Sequence, residues 1–140
     1  MPKITRWFIK SSLVFFIVAL ALAVFQAINA TWTISTWLNS FAPVYYHLFM
    51  VGWVTQLIFG VVIWMFPKYS LEKPRGNESL AWATFWLLNV GLTLRLFGEP
   101  LIYIYPKIGL LGFTLVLSAF LQWLAGLLFV VNTWSRVKVK

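Results

Sequence analysis

The chain contains no cysteine and no aspartate, a single histidine, and only three acidic residues, Glu72, Glu78 and Glu99, among its 140 positions. Each shortage removes a class of chemistry. Without cysteine, the chain by itself forms no disulfide, thiolate metal site, iron–sulfur cluster or covalent heme attachment through Cys-x-x-Cys-His. Without aspartate, and with one histidine, a Ser-His-Asp triad, a histidine-rich zinc site and a paired-carboxylate site are each incomplete. Charge is scarce too: 10% of the residues are charged, 61% are hydrophobic, and the mean hydropathy is +0.86. Water is not the main solvent of such a chain.

What is present is four long apolar runs, from about Ser11 to Ala30, Tyr45 to Phe66, Leu80 to Gly98, and Ile108 to Asn132. A membrane span takes about 20 apolar residues, so four spans and short connections use nearly the whole of residues 1–140 as one membrane domain. Lipid offers the backbone no hydrogen-bond partner, and none of the runs shows the period-2 alternation of a barrel strand. The expected fold is therefore an all-α membrane protein, a four-transmembrane-helix bundle.

The net charge of +8 comes from basic residues that flank the apolar runs rather than forming one stripe, so the lipid bilayer, and not nucleic acid, is the expected partner. Lys3, Arg6 and Lys10 precede the first run. Lys68, Lys73 and Arg75 separate the second from the third, and Arg136, Lys138 and Lys140 follow the fourth. The stretch from Thr31 to Val44 has no Lys or Arg, and the last connection has only Lys107. The positive-inside rule then gives an N-in/C-in topology. Treating residues 1–30 as a cleaved signal peptide would leave an odd number of helices against this charge pattern. Pro67, Glu99-Pro100 and Tyr105-Pro106 are expected to end helices, and Asn77 or Ser79 to cap the third. The Asn29-Ala30-Thr31 and Asn77-Glu78-Ser79 sequons read as chance matches. Trp7, Trp32, Trp37 and Trp134 fit interfacial anchors, and Trp53, Trp64, Trp82, Trp86 and Trp123 fit packing or lipid-facing positions.

Ionisable residues inside a membrane are costly and point to function. His47 lies near the outer end of the second helix, and Arg95 and Glu99, four residues apart on one face, lie near the outer end of the third. Antiparallel helices put His47 and Arg95 at similar depth. A bis-anionic cofactor with its metal at His47 and its carboxylates at Arg95 suits that pair, and heme b is such a group. The alternatives are an interfacial histidine bonded to water or backbone, and an Arg95–Glu99 salt bridge. Copper(I) at His47 and Met50 is a weaker third. The stripes Gly52-Gln56-Gly60 and Gly91-Arg95-Gly98, with Gly109 and Gly112, suit close helix approach. A transporter would need midplane polar residues, and only Gln56 and Asn89 come close.

Tyr46-His47, Gly52-Trp53, Gly60 and Trp64-Met65-Phe66-Pro67 resemble the second helix of the heme-copper oxidase catalytic subunit, and Leu80-Ala81-Trp82, Phe85-Trp86, Asn89, Gly91, Arg95 and Gly98 resemble the helix that follows. The likeness is greatest to short, four-helix bacterial membrane proteins of the cytochrome c oxidase subunit I-like type. It covers about Tyr45 to Glu99 and implies a bacterial inner-membrane location, with His47 as the metal ligand of a low-spin heme b and Arg95 beside its propionates. The family's second heme ligand, copper ligands and second-heme ligands have no counterpart in this sequence. Electron transfer or sensing, and not enzymatic oxygen reduction by this chain alone, is what the resemblance implies. A homo-oligomer or another membrane subunit must supply the second heme ligand, and if two copies share a heme across a two-fold axis the small-residue stripes become interface candidates. A non-redox accessory subunit of a respiratory complex is the alternative.

Overall fold

The structure is a computed structural model that describes residues 1–67 and 76–137. Lys68, Glu72, Lys73, Pro74, Arg75, Lys138 and Lys140 lie outside the described residues. The described chain is all-helical, with four helices long and apolar enough to cross a membrane: Lys3–Trp32, Thr36–Met65, Glu78–Ile104 and Gly109–Trp134.

The first helix begins well before its apolar run, because Lys and Arg are good helix formers whose alkyl stems follow the helix surface while their charged heads stay in water. It ends where Thr33 turns left-handed (φ 48°, ψ 48°) and donates its N–H to the Asn29 carbonyl. The buried Asn29 side chain then fixes the connection: its Oδ1 accepts from Ser35 N at 2.9 Å and its Nδ2 donates to Asn39 Oδ1 at 3.0 Å. The expected Thr31–Val44 loop thereby shrinks to residues 33–35, followed by a 3₁₀ turn, Thr36–Phe41, that leads into the second helix. A buried, bonded Asn29 is no glycosylation acceptor, which agrees with the chance reading of that sequon.

The second helix changes winding along its length. It is α over Ala42–His47, π over Leu48–Thr55 and α again over Gln56–Met65. It stops where Phe66, the residue before Pro67, is extended (φ −63°, ψ 150°). Asn77 caps the third helix by accepting from Ser79 N at 2.9 Å. That helix runs through Pro100 to Ile104, contrary to the expected stop at Glu99-Pro100, because an interior proline removes one backbone bond without obliging the chain to leave the helix.

Consecutive helices pair as two hairpins, and the glycine stripes lie inside them. A Cβ at Gly60 would sit 2.8 Å from Phe8 Cβ, and one at Gly52 2.9 Å from Phe15 Cβ, so this stripe seats the first helix on the second. Gly91 and Gly98 do the same for the fourth helix, with Gln122 Cγ and Thr114 Oγ1 each 3.0 Å from the added carbon. Gly109 and Gly112 meet nothing within 4 Å. Gly52, Gly60, Gly91 and Gly98 thus serve the close helix approach expected of these stripes: short connections make sequential helices nearest neighbours, and these take up the low-profile faces first. Gly60→Leu is expected to cost about 1–3 kcal/mol through overpacking, whereas Gly126→Leu, with open space around it, is expected to be neutral. Thermal unfolding of both variants in detergent checks this.

Aromatic and polar contacts hold the hairpins together. Phe8 stands edge-on to Phe85 (5.2 Å between centroids), Phe59 stacks on Phe129 (3.7 Å, 6°), and Ser11 Oγ donates to Asn89 Oδ1 at 2.6 Å. At the end where the second helix stops, fully buried Arg136 donates to the carbonyls of Ile63, Phe66 and Pro67 at 2.8 to 3.1 Å. It is a helix cap from a distant segment, not only a member of the basic cluster expected there. The outward faces are apolar, as at Phe113, Val116, Phe120 and Trp123 of the fourth helix.

Candidate functional site

At the opposite end of the bundle, the second and third helices bring together His47, Arg95 and Glu99. The helix Ala42–His47 opens on Pro43 in its first turn, and His47 is its last residue. The His47 ring turns back one turn, with Nδ1 2.9 Å from the Pro43 carbonyl oxygen. A carbonyl only accepts, so Nδ1 is the donor in this contact.

Arg95 packs against that ring. Its Nη1 lies against His47 Nε2, 3.1 Å from Nδ1, and 3.3 Å from Glu99 Oε1. The Arg95 and Glu99 side chains are only 15% and 11% exposed, so the guanidinium is compensated by the carboxylate four residues on. The cluster keeps two orphans, Arg95 Nε and Glu99 Oε2, both buried without a hydrogen-bond partner. Both sequence alternatives are present, a histidine bonded to backbone and an Arg95–Glu99 pair, and His47 and Arg95 lie at the similar depth expected of them.

The π segment begins one residue after His47. Its wider turn breaks the α-helical register between His47 and the residues that follow, and Met50 lies exposed on the apolar surface while His47 faces the third helix. A shared His47–Met50 face, which copper would require, therefore rested on an α-helical register that the chain does not keep. No group of three or more His, Cys, Asp or Glu side chains suited to a metal occurs among the described residues.

A single-ligand heme half-site fits the geometry in one respect and is closed in another. A ligating histidine is typically held by a hydrogen bond from its other ring nitrogen to a carbonyl, and the Nδ1–H to Pro43 bond is of that kind. Arg95 Nη1, however, lies against the ring beside both nitrogens, so a large planar group fits at His47 only when Arg95 shifts. Sequence reasoning missed the Pro43 carbonyl and the π segment, because neither a backbone acceptor nor a change of winding has a residue-type signature. Gln56, read as a midplane polar residue, is fully buried just past the π segment, with neither amide atom partnered. Asn89 is spent on Ser11.

No protein-family model, curated protein or solved structure matches this chain.

Proposed function

We propose that this chain is a multi-pass subunit of a bacterial inner membrane, with both termini in the cytoplasm, that forms half of a heme b site at the outer end of its second and third helices. His47 Nε2 is the axial ligand, and Arg95, once off the imidazole, pairs with the propionates. The observation that carries the proposal is the His47 ring orientation, with Nδ1 committed to the Pro43 carbonyl, which leaves Nε2 as the nitrogen that can hold a metal. A heme bound there supplies one-electron transfer or ligand sensing. The second axial ligand comes from a second copy of the chain or from another membrane subunit, since this sequence has no other histidine. Lys3, Arg6 and Lys10 at one end, against Lys107 alone at the other, support the orientation.

Heme titration of the purified protein tests the proposal. The expected result is a saturable Soret band, six-coordinate and low-spin where a second copy supplies the other ligand and five-coordinate where that ligand belongs to another subunit. A preparation that stays colourless after heme supplementation contradicts it.

A second function has its own observation, the closure of the cluster by Arg95. In a non-redox accessory subunit, His47–Arg95–Glu99 is a structural lock between the hairpins. Arg95→Leu then costs about 3–5 kcal/mol, because it leaves Glu99 buried without its counter-charge. Under that function the protein binds no heme at any concentration, and thermal unfolding of the variant reads the lost stability directly.

A further inference from the structure

The first helix starts against its own electrostatics. Its N-terminus is the positive end of a 30-residue helix, it has no acidic residue in its first turn, and no side chain caps it. Into that end the sequence places Lys3, Arg6 and Lys10 at spacings of three and four, which puts all three cations on one face over about two turns. Among the described residues the one ion pair is Arg95–Glu99 at the far end of the bundle, so no described carboxylate offsets this cluster. Like charges on a helix face repel one another, and here they also oppose the helix dipole.

The same three side chains rim a cavity of about 610 Å³ between the first and third helices. Its walls are apolar, formed by Trp7 and Phe15 of the first helix and Phe85 of the third. Val14 also lines it, and Ile17, one turn further along the helix, is an exposed apolar residue outside the cavity. A cationic rim above an apolar trough that runs onto a hydrophobic helix face suits one kind of molecule, an amphiphile with an anionic head.

We propose that this cavity binds one anionic phospholipid, with its phosphate among Lys3, Arg6 and Lys10 and an acyl chain along Trp7, Val14 and Ile17. The proposal rests on the membrane-spanning reading of the chain and is independent of heme. The phosphate offsets both the mutual repulsion of the cations and the helix dipole, and so completes the start of the first helix.

Native mass spectrometry of the purified protein in detergent tests it, with phosphatidylglycerol, phosphatidylcholine of the same chain length, and inorganic phosphate as probes. Phosphatidylglycerol is expected to saturate at one per chain and to bind at least about tenfold more tightly than phosphatidylcholine. The double substitution Arg6→Gln and Lys10→Gln is expected to abolish that preference. Val14→Trp, which narrows the trough without changing charge, is expected to weaken phosphatidylglycerol binding while leaving the unfolding temperature unchanged. Equal binding of the two lipids, a preference that survives the charge substitutions, or displacement of the lipid by inorganic phosphate alone would overturn the site. Resistance to carbonate extraction from membranes separates the two failures. A carbonate-resistant protein without lipid preference lacks only the site, whereas an extracted one is not membrane-spanning.

Discussion

His47→Ala is expected to abolish the Soret band of the heme-supplemented protein and leave its unfolding temperature nearly unchanged. The size of the spectral effect follows from scarcity: with one histidine and no cysteine, the chain has no second imidazole and no thiolate to replace the Nε2 ligand. The small stability effect follows from position, since His47 is only partly buried and Glu99 still pairs with Arg95 when the ring is gone. Arg95→Leu is expected to behave differently. It clears the ring and keeps the axial ligand, so a band persists, at lower heme affinity for want of a cation beside the propionates. Ligand loss and affinity loss in two neighbouring residues separate the two roles. A band unchanged in His47→Ala would show that any heme bound by the protein lies elsewhere.

Arg136→Ala is expected to cause a large stability loss, about 3 kcal/mol or more, given about 1.5–3 kcal/mol for a hydrogen bond to a charged group. Arg136 is fully buried, and its guanidinium gathers the last carbonyls of the second helix, from Ile63, Phe66 and Pro67, onto the segment that follows the fourth helix. Its removal unties the two hairpins at that end and leaves those carbonyls without the cation that faces the negative end of the helix dipole. Lysine keeps the charge but not the planar fork, so Arg136→Lys should fall between wild type and alanine. Thermal unfolding in detergent measures both. Asn132 reinforces the same end by accepting from Asn77 N at 2.9 Å with its side-chain oxygen.

The helices were legible in the sequence because apolar runs long enough to cross a membrane satisfy their backbone locally as helix, and hydropathy found all four cores. Their ends were not, since Lys3 and Pro100 violate hydropathy and proline rules without breaking a helix. The meeting of His47 with Arg95 was legible because antiparallel connection fixes depth. The ring's hydrogen bond and the π winding were not, because they depend on the Pro43 carbonyl and on backbone geometry rather than on residue type. Arg136 shows a further gap. As one cation among several it reads as a topology signal, and only the fold reveals that its partners lie 69 to 73 residues earlier.

Every functional statement depends on four spans with both ends inside, which places the His47 cluster at the outer face. The absence of native cysteine makes this directly measurable, because each introduced thiol is the only one in the chain. Ile34→Cys, Lys107→Cys and Val137→Cys lie at exposed positions on the two ends of the bundle. In intact spheroplasts, a membrane-impermeant maleimide is expected to label positions 34 and 107, and to label 137 only after permeabilisation. Labelling of position 137 from outside, or protection of 34 and 107, would contradict the account.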